Sequence, residues 1–273
     1  MNIIIVSVLT LLVIGALSAL VIFLTSKKFY LYEDPLIAEV EHVLPQVNCG
    51  GCGQASCHGF ALACIKSDSL HNMVCTVGGK AVMEEVAAIL GKTASPIIPT
   101  VAVVRCGGSC ELRPHLNHFD GASSCAIVHN LYGGETGCSW GCIGLGDCME
   151  PCKFDAIKLN PETLIPEISD SKCTSCNACV TACPKGIIEL RNLGVPAHKI
   201  YVNCVTKDPA VIDACSVACI GCEKCVEVCQ DKAITMIGKL AYIDSAACTL
   251  CGKCISVCPT NAIVEEKGTT PKP

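Results

Sequence analysis

Three short cysteine runs constrain this chain more than any other feature of its sequence. Each run has the spacing Cys-x2-Cys-x2-Cys-x3-Cys, and Pro184 and Pro259 follow two of them. This spacing is typical of thiolates that hold a [4Fe–4S] cluster, with the fourth cysteine reaching across to a neighbouring cluster. The sequence therefore predicts a protein that carries electrons one at a time. The runs are Cys173, Cys176, Cys179 and Cys183; Cys219, Cys222, Cys225 and Cys229; and Cys248, Cys251, Cys254 and Cys258.

Disulfide bonding and structural zinc are the other common uses of dense cysteine. The chain has 26 cysteines in 273 residues, which would suit a secreted, disulfide-bonded protein. Disulfides, however, give no reason for three copies of one spacing. Structural zinc uses two Cys-x2-Cys pairs separated by a longer loop, rather than three cysteines at x2 steps. Iron–sulfur ligation is therefore the interpretation that explains the repetition.

A fourth, less regular cysteine set precedes the three runs, with the spacing x3, x5, x3. Its members are Cys138, Cys142, Cys148 and Cys152. All four sets are followed at one offset by an apolar pair, of which Ala156-Ile157 is the first. The irregular set is therefore interpreted as a modified copy of an internal repeat. The four copies fall into two pairs, and each pair predicts a dicluster ferredoxin-like module.

The crossover of the fourth cysteine assigns the ligands within each pair. The first module is predicted to hold one cluster with Cys138, Cys142, Cys148 and Cys183, and another with Cys173, Cys176, Cys179 and Cys152. The second module is predicted to use Cys219, Cys222, Cys225 and Cys258, and then Cys248, Cys251, Cys254 and Cys229. Lys153 and Gln230 replace the usual Pro after two of the runs, and this removes no ligand.

A separate four-thiol site is predicted near the N-terminus, after an amphipathic helix at residues 35–44. The motif Asn-Cys-Gly-Gly-Cys at 48–52 places glycines where the backbone can wrap closely round a cluster. Ser56 is expected to cap the next helix, and another helix is expected at 80–90. Cys64 is interpreted as a small buried hydrophobic residue. The predicted ligands are Cys49, Cys52, Cys57 and Cys75.

The N-terminus is apolar over a length that would span a bilayer. Residues 3–24 contain no charged side chain and would form a helix of about 33 Å. The stretch lacks the basic start and the small-residue cleavage site of a signal peptide, so a retained transmembrane helix is expected. Lys27 and Lys28 follow it with no basic residue before it, which predicts that residues 27–273 lie on the cytoplasmic side of the cell membrane. Thiols stay reduced in that compartment.

Composition excludes several functions. Aromatic residues make up 4% of the chain, so cluster ligation must supply stability that a conventional core would otherwise give. A net charge of −5 argues against nucleic acid as a partner. No Gly-x-Gly-x-x-Gly follows a strand and no Cys-x-x-Cys-His occurs, so neither a Rossmann nucleotide site nor c-type haem is predicted.

Six cysteines remain after these assignments. They are Cys64, Cys106, Cys110, Cys125, Cys204 and Cys215. We hypothesise that four of them hold a sixth [4Fe–4S] cluster that joins the two modules. Cys110 is the alternative to Cys106 as a ligand. The hypothesised ligands are Cys106, Cys125, Cys204 and Cys215. The other interpretation is five clusters, with these cysteines free and buried.

These motifs together resemble the RnfB component of the Rnf complex. The resemblance rests on the motif at 48–52 beside the apolar helix, on Cys75-x-x-Gly-Gly, and on the stretch from Cys138 to Ile157, and it covers residues 1 to about 264. It implies a component of a respiratory ion pump that couples electron flow between reduced ferredoxin and NAD to movement of Na⁺ or H⁺. This component would accept electrons from ferredoxin and pass them to partner membrane subunits, which would carry the nicotinamide and flavin chemistry.

The predicted fold class is α+β, and the chain is divided into seven segments. These are a transmembrane helix (1–26), a small helical [4Fe–4S] domain (27–95), a cysteine-containing connector (96–137), the first dicluster module (138–192), an insertion (193–218), the second dicluster module (219–264) and a disordered tail (265–273). Two other functions stay open on the sequence alone. One is an iron–sulfur subunit of a different membrane oxidoreductase, and the other is a membrane-tethered metal-binding protein without a redox partner.

Overall fold

The computed structural model describes residues 2–29, 34–71, 73–94, 96, 98–109, 111–203 and 213–265. Cys110, Cys204 and the tail from 266 lie outside the described residues. The α-helices are α1 Asn2–Lys28, α2 Pro35–Val43, α3 Cys57–Lys66, α4 Gly79–Leu90, α5 Cys125–Tyr132, α6 Ala178–Ala182, α7 Lys224–Val228 and α8 Lys253–Val257. The strands are β1 Thr100–Val104, β2 Ile157–Leu159, β3 Pro166–Ile168, β4 Ile188–Asn192, β5 Ile200–Val202, β6 Ile234–Ile237, β7 Leu240–Ile243 and β8 Ile263–Glu265. The predicted α+β class is confirmed.

Helix α1 stands apart from the rest of the protein. The most apolar 18-residue stretch within Ile4–Lys28 has a mean hydropathy of 2.8, and none of that stretch is buried. The helix is long and apolar enough to cross a membrane, and it is the one such helix among the described residues. A core helix of a soluble domain would instead bury one face.

Helices α2, α3 and α4 form the small N-terminal domain. Their core is built from buried apolar side chains that include Val40, Phe60 and Val86, and Cys64 is fully buried among them. The expected cap is confirmed: the Ser56 hydroxyl accepts a hydrogen bond from the Gly59 N–H at 3.0 Å. The domain thus holds the loop that follows α2 against the start of α3.

Each dicluster module consists of two small antiparallel sheets. Strand β1 pairs with β4 and β2 with β3 in the first module. Strand β5 pairs with β8 and β6 with β7 in the second. Strands β6 and β7 follow each other directly and form a hairpin across residues 238 and 239. The strand that precedes each pair of cysteine runs therefore closes its module against the last strand of that module.

The two modules pack directly on each other. Val101, Val103 and Tyr201 are buried together where β1 meets β5. The guanidinium groups of Arg105 and Arg191 lie 5.3 and 5.8 Å from the centre of the Tyr242 ring on β7. Such cation–π contacts fix orientation as well as adding stability.

The N-terminal domain docks on the first module through two close contacts. The Lys153 ammonium donates hydrogen bonds to the backbone oxygens of Val47 at 3.0 Å and Asn48 at 3.2 Å. A methyl group added at Gly51 would lie 2.9 Å from Cys176 Cα, so the two backbones meet where only glycine fits. Lys153 is one of the two residues that replace the usual Pro, and its side chain holds the domains together.

Candidate iron–sulfur sites

Five cavities are each lined by four cysteines. Four of these sets coincide with the sets derived from spacing, and the fifth contains Cys125 where spacing indicated Cys138. The sets are Cys49, Cys52, Cys57 and Cys75; Cys152, Cys173, Cys176 and Cys179; Cys219, Cys222, Cys225 and Cys258; Cys229, Cys248, Cys251 and Cys254; and Cys125, Cys142, Cys148 and Cys183.

The arrangement of the thiols fits a polynuclear cluster better than a single ion. Four thiolates on one zinc, with Zn–S bonds near 2.3 Å, would lie about 3.8 Å apart at the corners of a tetrahedron. Among the described residues, no three His, Cys, Asp or Glu side chains converge closely enough to hold one metal ion. Instead the thiols surround a space between them, as the ligands of a [4Fe–4S] cluster do.

The backbone of the regular cysteine runs repeats in detail. In each run, the residues on both sides of the second cysteine have left-handed backbone angles: Ser175 and Asn177, Gly221 and Glu223, and Leu250 and Gly252. Left-handed residues next to right-handed ones aim successive N–H groups toward one side and create a site for an anion. A leucine in this conformation is strained, so the surrounding loop must hold it there.

The internal repeat extends to the irregular fourth copy. The third residue after the last cysteine is left-handed in all four copies, with φ of 49° at Asp155, 61° at Gly186, 52° at Lys232 and 51° at Asn261. The apolar pair follows this residue directly, and the next strand begins at the second member of the pair. The segment after Cys152 thus has the same backbone conformation as the corresponding segments of the three regular copies.

Cys125 reaches the fifth cavity from helix α5, which the sequence analysis did not predict. The Asp147 carboxylate accepts hydrogen bonds from the backbone N–H of Cys125 at 2.7 Å, from that of Ala126 at 3.0 Å, and from the Ser124 hydroxyl at 2.9 Å. Burial alone would raise the pKa of Asp147, but these donors outweigh it, and the pKa lies below its ordinary value. A carboxylate on the cysteine loop thus fixes the start of α5.

A further group of three thiols lies near the buried Arg113. Cys106 Sγ accepts a hydrogen bond from the Cys142 N–H at 3.5 Å. Burial raises the pKa of Cys215, and the neighbouring thiols Cys138 and Cys106 raise it further while Arg113 lowers it. The structure therefore brings together part of the hypothesised sixth set. Cys106 and Cys215 lie near each other and near Cys138, whereas Cys125 lines the fifth cavity.

The cavity thiols are electrostatically suited to binding a cation. Burial raises the pKa of Cys142 and of Cys179 to about 12, and adjacent thiols contribute in both cases. Without a positive charge in the cavity these groups stay protonated at neutral pH. Iron binding would therefore displace their protons, since the thiolate is the form that ligates.

Comparison with protein families agrees with this arrangement. A model described as "4Fe-4S dicluster domain" matches residues 141–187 and 218–262. A model described as "Putative Fe-S cluster" matches residues 44–72. The dicluster matches begin one residue before Cys142 and one residue before Cys219, so Cys138 lies outside the first match.

Three curated relatives are similar over most of the chain, and each is the B component of its complex. That of the "Na(+)-translocating ferredoxin:NAD(+) oxidoreductase complex" of Acetobacterium woodii is 39% identical over 89% of this chain and 72% of the relative. That of the "Proton-translocating ferredoxin:NAD(+) oxidoreductase complex" of Clostridium ljungdahlii is 39% identical over 90% and 86%. That of the "Ion-translocating oxidoreductase complex" of Methanosarcina acetivorans is 34% identical over 85% and 86%.

Replacing Asp147 should loosen the cavity that contains Cys125. The substitution Asp147→Ala removes three acceptor contacts at the start of α5 and should destabilise that helix by about 1–2 kcal/mol. We expect iron to be released to a chelator faster than from the unmodified protein. The exposed Asp120→Ala, in the connector that contains α5, is the control. Equal release rates for the two variants would show that Asp147 does not hold the site.

Proposed function

Because this chain belongs to the RnfB family, the B components of ion-translocating oxidoreductase complexes, we propose that it is the membrane-anchored iron–sulfur electron-transfer subunit of such a complex. The complex would couple redox chemistry between ferredoxin and NAD to movement of Na⁺ or H⁺, and ferredoxin would be the donor to this subunit. The proposal rests on one observation. A single chain contains five cavities that are each lined by four thiols, and these follow a helix long and apolar enough to span a membrane. This combination and the near full-length similarity favour it over a metal store and over an unrelated oxidoreductase.

The cofactors we propose are six [4Fe–4S] clusters, five of them in the cavities. A bound cluster of this type supplies reversible one-electron transfer. The protein holds it with thiolates, surrounds it with apolar side chains and donates N–H groups to sulfur. The Gly78 N–H lies 3.3 Å from Cys75 Sγ, and the Ala262 N–H lies 3.2 Å from Cys258 Sγ. Such hydrogen bonds stabilise negative charge on the sulfurs and tune the potential of the site.

The contact at Gly51 supports an order for the sites. Gly51 lies between two cysteines of the N-terminal cavity, and its partner Cys176 lines a cavity of the first module. The two cavities are therefore neighbours across one backbone contact. The N-terminal cavity is also nearest in sequence to α1, so we assign it the transfer of electrons to the membrane subunits. The second module, farthest along the chain from α1, is the proposed acceptor surface for ferredoxin.

The N-terminal site is tested by a pair of cysteine variants. Cys57→Ala removes one thiol of the N-terminal cavity, so the protein should lose about four iron atoms and stop passing electrons onward, while ferredoxin still reduces the remaining sites. Cys64→Ala is the matched control, because Cys64 is on the same helix but buried in the domain core. Iron analysis and ferredoxin-dependent NAD reduction by the complex are the measurements. Undiminished transfer in Cys57→Ala would contradict the assignment.

The neighbouring position of the two cavities is tested by loosening the contact between them. Lys153→Met removes the donors to Val47 and Asn48 and should slow transfer to the membrane subunits several-fold without loss of iron. Gly51→Ala should act in the same direction, because the added methyl group meets the backbone of Cys176. The exposed Lys158→Met is the control. Rates equal to the control in both variants would show that electrons leave by another route.

The proposed topology places everything after α1 on the cytoplasmic side. Lys27 and Lys28 follow the span directly and should stay on that side. A reporter that is active only in the cytoplasm, fused after Pro273, should therefore be active, and one that is active only outside should be silent. The reverse pattern would overturn the topology.

A further inference from the structure

The fifth cavity is made by a cysteine set that lacks one member of the repeat. In the regular run from Cys219, the next cysteines come 3, 6 and 10 residues later. Counting the same steps from Cys142 gives Leu145, Cys148 and Cys152. The copy therefore starts at Cys142 rather than Cys138, and Leu145 stands where the second cysteine belongs.

The backbone round Leu145 has the conformation of a ligand loop. Gly144 and Gly146 on either side of it have φ of 87° and 86°, and Gly221 and Glu223 on either side of Cys222 have φ of 63° and 64°. Leu145 is also exposed, as Cys222 is. The loop has kept its shape while its second thiol has been lost.

Cys125 supplies a thiol to the same cavity from a different part of the chain. It lines the cavity with Cys142, Cys148 and Cys183, and its N–H is held by Asp147, two residues after Leu145. The hydrogen bonds of Asp147 thus tie the start of α5 to the loop that lacks its cysteine.

We propose that Cys125 replaces the ligand lost at Leu145, and that Cys138 is thereby released to join Cys106 and Cys215 as ligands of the sixth [4Fe–4S] cluster. This inference rests on the proposed iron–sulfur function and names the ligands of two of its sites.

Arg113 lies beside these thiols, and its Nη1 also donates to the backbone oxygen of Cys142, a cysteine of the fifth cavity. The side chain of Arg113 is 2% exposed, and its Nε has no hydrogen-bond partner among the described residues. A methyl group added at Gly141 would lie 2.9 Å from Arg113 Nη1 and 3.3 Å from Cys138 Sγ. One at Gly108 would lie 3.2 Å from Arg113 Cδ and 3.4 Å from Cys215 Sγ. A buried guanidinium requires a compensating negative charge, and a thiolate-bound cluster provides one.

The three thiols lie between the two modules. Cys106 packs in the first module's core with Cys142, whereas Cys138 and Cys215 pack in the second module's core. The Ser216 N–H donates to the backbone oxygen of Leu112 at 3.3 Å, which holds the connector against the segment before Cys219. A cluster at this point would join the two modules covalently through its ligands.

The ligand replacement is tested by moving the thiol back to the loop. Cys125→Ala should lower the iron content from about 24 to about 20 atoms per chain on four-iron ligation. Adding Leu145→Cys to that variant should restore about four iron atoms and the EPR signal of the missing cluster. If Leu145→Cys instead restores iron to Cys138→Ala, the first module uses Cys138, and the proposal is wrong. Failure to restore iron in Cys125→Ala likewise counts against it.

The sixth cluster is tested by Cys138→Ala in the otherwise unmodified chain. We expect a loss of about four iron atoms that Leu145→Cys does not restore, and the same loss from Cys215→Ala. Unchanged iron in both variants would overturn the sixth cluster and leave the five cavities intact. An unmodified protein that holds no iron when prepared anaerobically would overturn the proposed function itself, so the two failures are distinguishable.

Discussion

Ligation of iron by four thiolates at a time is the constraint on which the rest of this structure depends. The modules have strands of three to five residues, and sheets of two strands are marginal by themselves. The hydrophobic cores of the modules combine aliphatic side chains with cysteines rather than with large aromatic residues. Because these ligand sets form only in the folded chain, the free energy of cluster binding is also free energy of folding. The strained left-handed residues beside the cysteines are tolerated for the same reason.

The sites are joined by contacts that a single module does not need. Gly51 and Lys153 hold the N-terminal domain against the first module. Arg105 and Arg191 of the first module contact the ring of Tyr242, which lies on a strand of the second module. Arg113 and its three thiols lie where the connector meets the second module. These contacts fix the positions of the cavities relative to each other, and electron transfer between sites requires fixed positions more than it requires flexibility. Helix α1 would hold this fixed series of sites next to the membrane subunits that we propose as partners.

Most of the fold and four of the five cavities could be predicted from sequence because their signals are local. Spacing within a run and Ser56 before α3 act over a few residues and need no tertiary information. Pairings such as β1 with β4 and β5 with β8 join segments far apart in sequence, and short apolar strands carry no mark of their partner. The assignment of Cys138 to the first module followed from the spacing x3, x5, x3 of the irregular cysteine set. The spacing from Cys142 through Leu145 is present in the sequence, but the place of Cys125 at the fifth cavity depends on where α5 packs.

The claim that bound clusters hold the modules together is tested most directly by removing iron under anaerobic, reducing conditions and following amide hydrogen exchange. We expect the amides of β1, β4, β5 and β8 to lose protection in step with the loss of iron. The core of the N-terminal domain, which has its own packed helices, should keep more of its protection. If these strands stay protected in the iron-free protein, the modules are held together by their side chains alone, and bound clusters are not needed for the fold.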